Sequence, residues 1–239
     1  MTSLADWELV VLLSIAAGIT IPAGGLFARV EHISPKWLEK EFRHSVIAFG
    51  GGALLAAVSL VLVPQGVETS PPVLSVALFL LGGVVFYGLD RLIQSRGGSY
   101  SQLIAMVSDF MPEAMALGAM LTQDYKSALL LAFLIGLQNF PEGFNAYREI
   151  LCKGHHGGQK ILLWFSALVL IGPVCALLGL EYLAHMPVVM GGIMMFAAGG
   201  ILYLVFQDIA PEARLKHRWA PPLGAVFGFG LGLIGHLLL

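Results

Sequence analysis

The sequence predicts an all-α, polytopic membrane protein: eight transmembrane helices forming one transporter-sized domain over residues 1–239. Three observations predict it. Of the 239 residues, 57% are hydrophobic and only 12% charged, whereas charged residues make up about a quarter of a soluble domain. Apolar runs long enough to cross a bilayer recur along the chain, with short polar loops between them. The basic residues also sort by side. With eight spans, one set of loops collects Arg29, Lys36, Lys40, Arg43, Arg91, Arg96, Arg148, Lys153, Lys160, Arg214, Lys216 and Arg218, and the other set holds Lys126 alone. The positive-inside rule expects such a split from a correct span count, and one missed helix would scramble it. It puts both termini on the non-cytoplasmic face, and the short loops fit a bacterial inner (cell) membrane.

The first span, Leu9–Phe27, is preceded by Asp6 and Glu8 and by no Lys or Arg. That is the wrong n-region for a cleaved signal peptide, so it is read as a true span. Val46–Val63 follows and is rich in glycine and alanine. Next come Val73–Ile93, Leu103–Leu121, Ala128–Tyr147, Ile161–Leu183 and Val188–Phe206, and Leu223–Leu239 closes the chain with Gly224, Gly228 and Gly232 at four-residue spacing. Small residues at such spacing let helix backbones approach closely and indicate a packed bundle. The second and seventh spans share a pattern: Phe49 to Pro64 and Phe196 to Pro211 are each fifteen positions apart, with glycine and alanine after each Phe. These spans run in opposite directions, the pattern of an inverted repeat. The fourth and fifth spans pair likewise, since Asp109 to Gln138 and Glu113 to Glu142 are each 29 positions apart.

A net charge of -2 with the basic residues confined to loops points to no nucleic-acid partner. Cys152 and Cys175 form neither a disulfide framework nor a metal knuckle. The chemistry is expected where charge lies inside the apolar runs, at roughly 2.5–3.5 kcal/mol or more per charge on insertion scales. Asp109, Glu113 and Glu142 lie near the middle of their spans, and no Lys or Arg lies in the central part of any span. Protons or a bound cation must compensate them. Positions i and i+4 share a helix face, so Asp109 stacks over Glu113 and Gln138 over Glu142. Pro112 and Pro141 leave the carbonyls of Ser108 and Leu137 without their helical donors and predict kinks in both helices.

The stretch Gln138-Asn139-Phe140-Pro141-Glu142-Gly143 resembles the fifth-helix signature of the ZIP family of divalent metal transporters, in particular its GufA-like bacterial branch. The glycine-rich second span and Phe196-Ala197-Ala198-Gly199 in the seventh are similar as well. The resemblance implies helices arranged three, two, three, and uptake of Zn, Fe or Mn toward the cytoplasm by an elevator-like motion. It also implies a metal site on Asp109, Glu113, Gln138 and Glu142, with Asn139 and Asp208 as secondary positions. The departures are Asp109-Phe110 where the family has His-Asn, and Gly172-Pro173 where the branch has Glu-Pro. Phe110 deletes a ligand and Gly172 removes a carboxylate, so the second metal position is expected to be lost or weak. An all-oxygen first site suits harder cations such as Mn, Mg or Ca, whereas imidazole favours Zn, Ni or Cu.

The expected partners are the divalent ion and the lipid bilayer, with a homodimer left open; no resident cofactor and no enzyme activity are expected. Two other classes compete. An intramembrane hydrolase with paired carboxylates is disfavoured because Asp109 has no second aspartate at its depth. A proton-linked carrier of an organic solute lacks a midplane Arg, Lys or aromatic cluster. A transport-impaired family member is a third alternative. Gln207, Asp208 and Glu212 mark the cytoplasmic end of the seventh span. Cys152, His155 and His156 are read as a solvated loop, Asp90 with Arg91 as an interfacial ion pair, and Glu181, His185 and His236 as residues near helix ends.

Overall fold

The computed structural model describes residues 4–31, 33, 36–95, 101–152, 157–215 and 219–239. Among these the chain is helical throughout, with no strand. Seven helices are long and apolar enough to cross a membrane: α1 Leu4–Val30, α2 Lys36–Thr69, α3 Pro72–Ser95, α4 Leu103–Met120, α5 Tyr125–Cys152, α6 Gly158–His185 and α7 Pro187–Ala213. The last, α8 Leu223–Leu238, has 16 residues; at 1.5 Å per residue it is about 24 Å long, short of the ~30 Å hydrocarbon core. Seven long apolar helices and one shorter one are compatible with a multi-pass membrane protein. The outer surface agrees, since Val73, Val76, Leu80, Val84 and Tyr87 form an exposed stripe along α3. A stripe that size in water would be an aggregation liability.

The helices are distorted where proline requires it. Proline cannot donate to the carbonyl four residues back, and its ring crowds that carbonyl. In α2 the turn Val58–Leu62 widens to a π-helix ahead of Pro64, with the Val63 amide bonded to the Val58 carbonyl. In α7 the turn Val205–Ile209 does the same ahead of Pro211, with the Ala210 amide on Val205. Each π turn starts nine residues after its Phe and six before its Pro, so the two helices share a distortion as well as a sequence pattern. α1 is interrupted at Ile19, shortly before Pro22, and α6 at Val169–Leu170, shortly before Pro173. By contrast, helical assignment runs unbroken through Pro112 and Pro141.

Packing sorts the helices into two sets of four. The closest pairs are α1 with α5 and α4 with α6 in one set, and α2 with α8 and α3 with α7 in the other. Glycine sets these approaches. A Cβ on Gly118 of α4 would lie 1.8 Å from the Ala176 carbonyl of α6, and one on Gly179 of α6 would lie 2.0 Å from the Met115 carbonyl of α4. The other three pairs use the same reciprocal device. Between the sets, α2 and α5 meet through side chains instead: a Cβ on Gly50 would touch the Pro141 ring at 2.8 Å.

Candidate metal-ion site

The site is built on α4 and α5 where they cross. Four-residue spacing turns Asp109 and Glu113 of α4, and Gln138 and Glu142 of α5, toward the interior. Asp109 is 2% exposed, and Glu113, Gln138 and Asn139 are fully buried. Gln138 Nε2 donates to Glu113 Oε2 at 2.6 Å, a charge-assisted length. Asn139 Nδ2 donates to the Ala17 carbonyl at 3.2 Å, tying α5 to α1 near its interruption.

What remains unpaired is all acceptor. Asp109 Oδ1, Glu113 Oε1, Gln138 Oε1, Asn139 Oδ1 and both carboxylate oxygens of Glu142 are out of solvent with no hydrogen-bond partner. Among the described residues, no Lys, Arg or His forms a salt bridge with any of the three carboxylates. Buried acceptors without donors cost roughly 1–3 kcal/mol each, and more when charged, so a native site with this set is built for something electropositive. Among the described residues, no three His, Cys, Asp or Glu side chains are already gathered as a metal-holding group. Gln138 links the two helices by its bond to Glu113 and keeps its own oxygen unpartnered.

Asp109 and Glu142 border a cavity of about 40 Å³ that Ile47, Gly50, Leu54, Pro141, Asn145 and Asp208 also line. One water needs about 10–15 Å³ by this measure, and small-molecule pockets run to about 300–1,000 Å³. The space therefore suits an ion or a few waters, not an organic solute. Asn145 was not singled out by the sequence reasoning, although Gln138, Glu142 and Asn145 at i, i+4 and i+7 lie on one helix face. Its Nδ2 donates to Glu212 Oε2 at 2.9 Å, linking α5 to the end of α7.

Two of the positions where the chain departs from the ZIP pattern it resembles, Phe110 and Gly172, pack against each other. Phe110 is buried, and its ring fills the space beside Gly18 and Gly172: a Cβ on Gly172 would meet Phe110 Cζ at 2.7 Å. An aromatic ring thus stands next to Asn139's neighbourhood on α1 and α6, where the resemblance would have placed further oxygen ligands.

Other sequence candidates fall as follows. Asp90 does not pair with Arg91. It is 7% exposed and accepts from Gln94 Nε2 at 3.0 Å and from the Tyr203 hydroxyl at 3.1 Å, while Arg91 turns to the Tyr87 hydroxyl at 3.5 Å. One helical position rotates Asp90 inward against α7 and Arg91 outward. Gln207 is exposed and Asp208 faces the cavity. Cys152 is exposed; His155 and His156 lie outside the described residues. No family model matches the chain, and no curated protein matches it.

Proposed function

We propose that the protein carries a divalent metal cation across a membrane, using Asp109, Glu113, Gln138 and Glu142 as an all-oxygen site, and that it is a divergent ZIP-like transporter. The observation that carries this reading is the set of buried, acceptor-only oxygens on α4 and α5, of which Asp109 and Glu142 border a cavity of about 40 Å³. Neutralising carboxylates inside an apolar bundle requires protons or cations, and Gln138 spends its donor on Glu113, leaving its carbonyl oxygen to a cation.

An elevator-like motion of α1, α4, α5 and α6 against α2, α3, α7 and α8 is supported by the packing. Contacts inside each set are backbone-close and glycine-dependent, whereas the sets meet through side chains that can slide. The reading further takes the bundle as three, two and three helices with an inverted repeat, supported by the matched π turns of α2 and α7. It takes the termini as non-cytoplasmic, supported by the charge distribution.

The oxygen set favours manganese or ferrous iron over zinc, since no imidazole is present. Metal-dependent uptake into proteoliposomes tests the proposal. Wild type is expected to accumulate Mn, with Zn competing less well, and Glu113→Ala and Glu142→Ala are expected to lose uptake. Two mutants that transport as fast as wild type would sink the site assignment, and a clear Zn preference would sink the metal assignment.

A further inference from the structure

The wall of the cavity has a second side. Successive residues of α2 and α7 face opposite ways: Ile47, Gly50, Leu54, Leu204 and Asp208 line the cavity, while Ala48, Gly51, Leu55 and Val205 line a groove behind it. Ile209 borders both. The groove, about 1090 Å³, runs between α2, α7 and α8 on the bundle's outer surface. It exceeds the usual span of small-molecule pockets, and its floor is apolar. Along its floor Ile209 packs directly on Gly51, where a Cβ would reach Ile209 Cγ2 at 2.7 Å.

Its rim is different. Arg214, just beyond the end of α7, lines the groove and is exposed, and its guanidinium has no acidic or hydrogen-bond partner among the described residues. Trp219, 91% exposed, stands at the same rim. An apolar trough ending in an exposed guanidinium beside an exposed indole matches a lipid in charge and polarity: hydrocarbon along the floor, phosphate at Arg214, and indole at headgroup level.

We propose that this groove binds one anionic phospholipid, its acyl chain lying along Ala48, Gly51 and Leu55 and its phosphate pairing with Arg214. The lipid then backs the Ile209 wall of the cation cavity. The proposal rests on the chain being a membrane protein and not on which solute it carries.

The test uses the full chain with Trp219 as its sole tryptophan (Trp7→Phe, Trp37→Phe, Trp164→Phe), reconstituted in phosphatidylcholine vesicles. One arm contains a minor fraction of phosphatidylglycerol with brominated acyl chains, and the other the same fraction of brominated phosphatidylcholine. One basic residue near anionic headgroups gives roughly fivefold enrichment, so Trp219 quenching is expected to be clearly stronger in the first arm. Arg214→Gln should bring it down to the second, while Arg214→Lys and Arg91→Gln should leave it. Equal quenching in both arms, an excess that survives Arg214→Gln, or no quenching in either, as when a second copy of the chain covers the groove, overturns the proposal. A chain that does not float with the vesicles overturns the membrane reading with it.

Discussion

Gln138 donates to Glu113 across the α4–α5 crossing at 2.6 Å, while Gln138 Oε1 and Glu113 Oε1 both lack partners. If the site holds an ion as proposed, this one bond fixes the two side chains whose free oxygens would serve as ligands. Gln138→Leu would remove a donor and a ligand together. Leaving Glu113 Oε2 buried without a donor costs roughly 1–3 kcal/mol, so the apo protein should melt several degrees lower in detergent. Gln138→Glu restores an oxygen but sets a carboxylate against Glu113. It is expected to depend on metal for stability, with added Mn raising its melting temperature more than that of wild type. Equal metal-induced shifts in wild type and both variants would argue against an ion between these residues.

Phe110 and Gly172 make a second linked pair. Gly172→Ala puts a methyl 2.7 Å from Phe110 Cζ and 3.1 Å from the Ser14 carbonyl, and overpacking of this kind costs roughly 1–3 kcal/mol. Phe110→Leu alone leaves a cavity and also destabilises. If the ring is what Gly172 accommodates, the double variant should be more stable than the sum of the single effects, a coupling that a thermal-melt double-mutant cycle measures. Strict additivity would mean that the two positions changed independently.

The all-helical, apolar character of the chain, the interior carboxylates and the shared pattern of α2 and α7 were legible because they rest on composition and spacing, whereas of the eight expected spans seven are long enough to cross a membrane and the last is shorter. The interruptions were legible only in part. Sequence pointed to Pro112 and Pro141, which lie inside continuous helices, and did not point to the breaks and π turns ahead of Pro22, Pro64, Pro173 and Pro211. Gly50 of α2 packs on the Pro141 ring, a contact between helices that one sequence does not carry. Asp90 shows the same limit. Its neighbour Arg91 suggests a surface pair, yet the helix phase against Tyr203 decides burial. The Phe110–Gly172 fit joins positions 62 apart, which no local pattern signals.

Asp124 sits outside the spans and caps α5. Its Oδ1 accepts the Ser127 amide at 3.1 Å, and its Oδ2 accepts the Ser127 hydroxyl at 2.5 Å and Gln65 Nε2 at 2.8 Å. Partial burial pushes its carboxyl up, but these bonds outweigh it and hold it below the ordinary value of 3.8. A depressed native pKa stabilises the fold fully above the unfolded value, and that contribution fades as pH falls through the native one. Asp124→Ala should therefore lower the melting temperature at pH 7 by the equivalent of about 0.5–2 kcal/mol, as for other N-caps, and toward the lower figure because the group is partly solvated. The gap from wild type should hold down to about pH 4 and narrow only below it. A gap that closes between pH 7 and 5 would assign it to another group.

Arg148 of α5 holds two glutamates whose loss should differ. Glu31, at the end of α1, meets Nη1 at 2.6 Å with its side chain 4% exposed, whereas Glu39 of α2 meets Nη2 at 2.5 Å and is 34% exposed. Breaking a buried pair from one side costs roughly 3–5 kcal/mol because a bare charge stays behind; a solvated pair contributes about 1 kcal/mol or less. Arg148→Met is thus expected to destabilise strongly and Glu39→Gln hardly at all. One pair lies within a set and the other crosses the proposed sliding boundary: Arg148 and Glu31 belong to one set of helices, and Glu39 to the other. At another point on that boundary, Gln65 of α2 reaches Asp124 ahead of α5. If the sets move past each other, Glu39→Gln and Gln65→Ala should change the rate of Mn uptake without changing the concentration that half-saturates it. A change in half-saturation with an unchanged maximal rate would place these residues in ion binding and remove their support for a moving boundary.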